Sequence, residues 1–221
     1  MTDKGNAIII GYGPGIGAAV AETFGREGYS LSLIARDPAK LNAAVTSLAA
    51  EGLKAKGFAA DAGDEASLTT ALSEARAAFG GASVLVYNAA FWRPGPTLDL
   101  TADLLIYDFR VAVVGALVAA RFVAPAMKAK GSGSLLFTGG GLALYPSPEA
   151  PSLSIGKAGI RSLALMLAKE LAGTGVRVGT VTVAGTVAPG TSLSPERVAD
   201  AFLAMHHGAA DPATAEHVLK P

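Results

Sequence analysis

The sequence predicts an α/β protein: a single doubly wound sheet of seven mostly parallel strands, with helices on both faces. Three observations predict it. Short runs rich in Ile, Val, Leu and Ala alternate with helix-period segments from end to end, the pattern of successive strand–helix–strand units. The first such run, Ala7 to Ile10, leads straight into Gly11-Tyr12-Gly13-Pro14-Gly15-Ile16-Gly17 and then an amphipathic helix. The 221 residues, 51% of them hydrophobic, suffice for one core. One domain over 1–221 is expected, without repeats or linkers.

Each element has its own signal. Ile16, Val20 and Phe24 recur four apart among Glu22, Arg26 and Glu27, giving a helix to about Gly28. Tyr29 to Ala35 is the second strand, and Asp37-Pro38 caps and opens a helix carrying Leu41, Val45 and Leu48. Lys54 to Ala60 is the third strand. Asp64 caps a helix with Leu68, Leu72, Ala75 and Phe79 on one face, which Gly80-Gly81 ends before the strand Ser83 to Tyr87. A long apolar helix from about Thr101 to Lys130 and a strand Ser134 to Thr138 follow. A helix from about Ser152 to Ala172, a strand Val176 to Val183, a helix capped by Ser194 and a short strand near Glu216 to Leu219 complete the chain.

Composition excludes several function classes. Lysines plus arginines equal aspartates plus glutamates at 18 each, so there is no basic field for nucleic acid, which is not an expected partner. Without cysteine, disulfides and thiolate chemistry are impossible. Polar Met1 to Asn6 lead directly into a strand and predict no secretory signal. The longest apolar run, Val111 to Ala120, is too short to span a bilayer, so no membrane association is expected and the cytoplasm is the expected location. There is no Gly-x-Ser-x-Gly elbow, Walker lysine or His-Glu-x-x-His helix. Adjacent His206 and His207 cannot face one ligand on a helix, and His217 falls on the last strand; no metal site is expected.

A doubly wound sheet takes its ligand at the carboxyl ends of the strands, where strand order reverses. A nucleotide pyrophosphate approaches backbone closely only where side chains are absent, and the free N–H groups of a helix start meet its charge. The glycine turn supplies both. The spacing Gly11-x-x-x-Gly15-x-Gly17, Asn88-Ala89-Ala90 after the fourth strand and Lys157 in a long helix resemble the short-chain dehydrogenase/reductase family over nearly the whole chain. That resemblance implies a Rossmann fold, an NAD(P) cofactor, a small carbonyl or alcohol substrate and a homodimer or homotetramer. It implies glycines around the pyrophosphate, Asp61 with Ala62 at the adenine, and Asn88, Ala89 and Ala90 along the cofactor. Lys157 would hold the nicotinamide ribose and the Val187 backbone the nicotinamide amide. Tyr87 stands where the family usually has a second asparagine. Arg36, ending the second strand, offers a planar fork to a 2′-phosphate where an acid would bond ribose hydroxyls; this favours NADP, with NAD possible.

The chemistry is less complete. The family draws its proton from a tyrosine four residues before the lysine, and Leu153 occupies that position. Its serine falls on Gly140 within Thr138-Gly139-Gly140-Gly141, and its helix asparagine on Ala112. Of the four, Lys157 remains. Tyr145, in the following loop, and Thr138, at the strand end, are the candidate substitute hydroxyls. Phe91 and Trp92 either line a hydrophobic pocket or cover the sheet edge, and Arg93-Pro94-Gly95-Pro96 and Tyr145-Pro146-Ser147-Pro148 are pocket borders or stiff turns. Two functions fit: an oxidoreductase of atypical mechanism, or a non-catalytic NADP-binding sensor or scaffold.

Overall fold

Strand-forming runs at β1 (Asn6–Ile10), β2 (Ser30–Ala35), β3 (Ala55–Ala59), β4 (Ala82–Tyr87), β5 (Gly133–Gly140), β6 (Val176–Val183) and β7 (Glu216–Leu219) assemble into one sheet in a computed structural model describing residues 4–221. The residues before Lys4, and with them the start of the expected 1–221 domain and part of the Met1 to Asn6 segment read as no secretory signal, lie outside the described residues. The order is β3-β2-β1-β4-β5-β6-β7 and every pair is parallel, so the mostly parallel expectation becomes wholly parallel. β1, β4 and β5 are completely or largely buried, as strands covered on both faces must be.

The helices divide between the faces. α1 (Ile16–Arg26), α2 (Pro38–Ala50) and α7 (Pro195–His207) pack Val20, Phe24, Leu41, Leu48, Val198 and Phe202 on one. α3 (Glu65–Phe79), α5 (Gly115–Lys130) and α6 (Pro151–Glu170) pack Leu68, Leu72, Val123, Met127, Ile160 and Leu163 on the other. Asp37 caps α2 as its sequence announces, accepting from the backbone N–H of Ala39 and Lys40 at 3.0 and 3.1 Å. Ser194 caps α7 through Arg197 N.

Two elements depart from expectation. β5 runs two residues past Thr138, because Gly139 and Gly140 pair with Thr182 and Val183 of β6. A Cβ on Gly139 would stand 2.7 and 2.8 Å from the hydroxyl oxygens of Thr180 and Thr182, so only glycine lets the strand continue there. The long helix also changes geometry midway. α4 (Ala102–Phe109) passes through a π-helical turn, Arg110–Val114, into α5. Tyr87, fully buried at the end of β4, donates its hydroxyl to the Val111 carbonyl inside that turn. Burial pushes the Tyr87 phenol well above its ordinary pKa, keeping it a neutral donor.

Ala102–Lys130 as a whole is long and apolar enough to cross a membrane by length and composition, a longer stretch than the Val111 to Ala120 run suggests. Half of its most apolar window is buried within the protein, where Val111, Ala112, Ala116, Ala119 and Ala120 face the core. Val114 and Leu117 remain exposed.

His206 is half-buried against Phe24 and Tyr29 near the amino ends of β2 and β5, the opposite ends of the parallel strands from the glycine turn. Its Nε2 bonds the Tyr29 hydroxyl at 2.7 Å and its Nδ1 the Ser134 hydroxyl at 2.8 Å. Burial first, then His207, Arg177 and Lys4 against the opposing pull of Glu27, lowers its pKa from 6.5 to about 4. The unfolded chain therefore takes up this proton before the folded one does. Stability is fully present above about pH 6.5 and falls as pH drops toward 4, by at most about 3 kcal/mol at 1.36 per unit. Urea unfolding between pH 7 and 4 measures the loss, and His206→Gln flattens this part of the slope.

Candidate cofactor site

The site begins where strand order reverses. β1 pairs with β2 on one side and β4 on the other, and its next residue, Gly11, opens the turn into α1. Gly11 has φ +83, and a Cβ there would lie 2.6 Å from Ala89 Cα and closer still to Ala89 N. Gly17 brings α1 against the turn, with Tyr12 Cα 3.0 Å from where its Cβ would be. Among the described residues nothing beyond their chain neighbours lies within 4 Å of that point at Gly13 and Gly15. Packing thus explains Gly11 and Gly17, whereas Gly13 and Gly15 keep bare backbone facing open space. Gly15 makes no side-chain cap for α1, and among the described residues the N–H groups of Ile16 and Gly17 have no partner.

A cleft of about 1030 Å³ runs beside this turn, at the upper end of ligand-pocket sizes. Its walls include Gly11, Tyr12, Gly13 and Pro14 from the turn, Arg36 from the end of β2, Asp61 and Ala62 after β3, and Asn88, Ala89 and Ala90 after β4. Lys40, Phe91 and Val111 also line it. The Arg36 guanidinium lies over the Phe91 ring, 4.8 Å from its centroid. Asp61 is held by two donors, Gly63 N at 2.8 Å and the Tyr107 hydroxyl at 2.7 Å. That bond to Asp61, more than burial, raises the Tyr107 pKa.

β-strand register sets the second half of the site. Ile10, Tyr87 and Phe137 lie in one row across β1, β4 and β5, so Gly11, Asn88 and Thr138 form the next. Asn88 Nδ2 donates to the Gly11 carbonyl at 2.9 Å and its Oδ1 accepts from the Thr138 hydroxyl at 2.9 Å. Lys157, on α6, donates from Nζ to the Thr138 carbonyl at 2.7 Å. Burial lowers the Lys157 pKa from 10.5 to about 8. Its Cγ, Cδ and Cε lie 3.3 Å from where a Cβ on Gly140 would stand, so the lysine stem covers the bare glycine of β5.

The remaining residues are spread around this centre. Tyr145 is 77% exposed in the loop after β5, and Leu153 is half-buried one turn before Lys157. Val187 packs half-buried against the α7-side core. Trp92 is exposed while its neighbour Phe91 lines the cleft. The two proline-rich loops join directly, Gly95 N donating to the Glu149 carbonyl at 2.9 Å and the Thr97 hydroxyl to the Pro148 carbonyl at 3.1 Å. Arg93 fixes the first loop to α4 by a two-pronged bond to Asp108, at 2.9 and 3.0 Å. Lys40, Tyr107 and Val111 are absent from the sequence-derived site, whereas Phe91 and Arg93 enter it as a possible pocket lining and pocket border. Tyr107 and Val111 share a helix face at a spacing of four, the one signal that could have pointed to them.

A doubly wound sheet with bare glycines and free helix N–H groups at its switch point defines a nucleotide-binding protein. Residues 5–198 match the family described as short chain dehydrogenase, and the chain belongs to that family. It is 34% identical over 172 residues to a short chain dehydrogenase of Pseudocercospora fijiensis, covering 77% of this chain and 56% of the relative. It is 31% identical over 180 residues to a 2,3-dihydro-2,3-dihydroxybenzoate dehydrogenase of Bacillus subtilis, covering 81% of this chain and 69% of the relative. The chain thus spans little more than half the length of the fungal relative. A metagenomic short-chain oxidoreductase solved in complex with NADP superposes with a TM-score of 0.88 at 27% identity, covering 99% of this chain and 98% of the other.

Proposed function

We propose that this protein binds NADP(H) in the cleft and transfers hydride between it and a small carbonyl or alcohol, by a mechanism that does without the family's serine, tyrosine and asparagine. The observation that carries the reading is the pair Gly13 and Gly15, whose missing side chains serve no packing purpose and leave backbone open beside free N–H groups. The coenzyme supplies the hydride when bound. Gly11 to Gly17 hold its pyrophosphate, Arg36 and Lys40 its 2′-phosphate, Asp61 and Ala62 its adenine, and Asn88, Ala89 and Ala90 its length. Lys157 takes the nicotinamide ribose and the Val187 backbone the nicotinamide amide. The NADP-bound metagenomic relative supports this choice of coenzyme.

Asn88 is the positioning residue of the site: its side chain spans Gly11 and Thr138 and so ties the glycine turn to the strand that carries Lys157. One observation favours a second reading, a non-catalytic NADP-binding sensor or scaffold: Leu153 has no proton to give. Turnover of a carbonyl panel with NADPH separates the two. On this reading the substrate is a small molecule, neither nucleic acid nor membrane is a partner, and the cytoplasm is the proposed compartment. A second copy of the chain covers exposed Val114, Leu117 and Met166 in a homodimer or homotetramer.

Coenzyme preference tests the assignment. Arg36→Ala removes a charged contact worth about 1.5–3 kcal/mol, so NADPH affinity drops by roughly 10- to 100-fold while NADH affinity hardly moves. Equal loss for both coenzymes removes Arg36 from the 2′-phosphate.

A further inference from the structure

We propose that Lys157 is itself the proton donor of the reaction, a catalytic residue and not only a ribose ligand; this rests on the oxidoreductase reading above. Three geometric facts lead there. Leu153, one turn earlier on α6, and Gly140, on β5 beneath the lysine stem, carry no hydroxyl beside Lys157. The lysine stem crosses the space above Gly140 instead, at 3.3 Å. Among the described residues one bond, to the Thr138 carbonyl at 2.7 Å, anchors the ammonium and leaves its other protons uncommitted.

The rival donors are engaged or distant. The Thr138 hydroxyl gives its proton to Asn88 Oδ1, and that amide is in turn committed to Gly11. Tyr145 is turned to solvent on the outer loop. Charged groups on the elements packed around α6 have their own partners, Asp108 of α4 with Arg93 and Glu216 of β7 with Arg161. No carboxylate therefore bonds Lys157 among the described residues, and desolvation alone sets its acidity, bringing it to about 8. An acid in that range is matched to proton transfer near neutral pH. A bound NADPH would supply the hydride to the carbonyl carbon and be left as NADP⁺, with the C=O π pair moving to oxygen. One N–H bond of the Lys157 ammonium breaks, its proton joins that oxygen to give the alcohol, and the neutral amine recovers a proton from water.

The test uses the whole protein with NADPH and two dicarbonyl probes, 2,3-butanedione and 9,10-phenanthrenequinone. NADPH fluorescence titration is run first, since failure to bind overturns the oxidoreductase reading itself. With binding in hand, single-turnover reduction is expected to be flat at lower pH and to fall above about pH 8, because only the ammonium form donates. Lys157→Arg keeps a cation for the ribose but yields its proton far less readily; NADPH still binds within a few-fold while reduction drops by about 10²- to 10⁴-fold. A readout independent of turnover is the ¹³C NMR titration of reductively methylated protein, in which the signal lost in Lys157→Met titrates near 8. The donor assignment is overturned by an active Lys157→Arg, by a rate with no fall above pH 8, by a Lys157 signal at the ordinary 10.5, or by NADPH binding with neither probe reduced.

Discussion

Gly11→Val is expected to cost the fold about 2–5 kcal/mol and to abolish coenzyme binding. Two penalties add. A residue with a Cβ at φ +83 pays roughly 1–2 kcal/mol for a left-handed backbone. Forcing that carbon against the backbone of Asn88 and Ala89, 2.8 and 2.6 Å away, adds about 1–3 kcal/mol, because a main chain held by the Asn88 N to Ile10 carbonyl bond cannot swing aside. For a domain whose total stability is about 5–15 kcal/mol this is a large share. Gly13→Ala is the informative partner. Its Cβ meets nothing of the protein, so stability should stay within about 0.5 kcal/mol, yet NADPH binding should weaken by roughly tenfold or more as the methyl enters the space left for pyrophosphate. Urea unfolding and fluorescence titration of both variants separate the two roles. A Gly13→Ala protein that binds NADPH unchanged removes the glycine turn from the pyrophosphate.

Arg93→Met is expected to destabilise the fold and lower its urea midpoint, because it leaves the Asp108 carboxylate, only 3% exposed, without the partner that neutralises it. Burial alone would raise the Asp108 pKa. The Arg93 hydrogen bonds and charge, with the Ser152 hydroxyl nearby, outweigh it and hold the carboxyl below its usual range. In the parent protein this contribution is complete above the ordinary value of 3.8 and is lost as pH falls through the lower folded value. In Arg93→Met burial is opposed only by the Ser152 hydroxyl, so the Asp108 carboxyl takes a proton more readily and the deficit shrinks on acidification. The double variant Arg93→Met, Asp108→Leu recovers most of the loss, because it buries no unpaired charge. Since Arg93 anchors the loop that carries Phe91 under Arg36, the single variant should also loosen NADPH. A deficit unchanged between pH 7 and 4 contradicts this account of Asp108.

The sequence was legible wherever a signal is local. Strand–helix alternation defines the seven strands, Asp37-Pro38 marks a helix start within a residue, and the run of glycines marks the tight turn from β1 into α1. What the sequence hid depends on register. Nothing local says that Asn88, Thr138 and Lys157 form a chain of bonds, because that requires β4 beside β5 with Tyr87 opposite Phe137 and α6 returning over β5. The Tyr107 bond to Asp61 and the Arg93 pair with Asp108 join residues 46 and 15 apart, across elements whose relative rotation no periodicity gives. The π-helical turn escaped because its residues are as apolar as the α-helix around them, and the cause lies in the Tyr87 hydroxyl on another element. β5 was cut short because a run of glycines ordinarily signals a turn, whereas here it lets a strand pass between Thr182 and Ala184 on one side and the Lys157 stem on the other.

The central claim is that Gly11 to Gly17 and Arg36 hold NADP(H), and fluorescence titration of the unmodified protein with NADPH and NADH tests it most directly. The account predicts saturable binding of both, with NADPH at least tenfold tighter, about 1.4 kcal/mol. Equal affinity for the two coenzymes contradicts the role given to Arg36, and binding of neither contradicts the site.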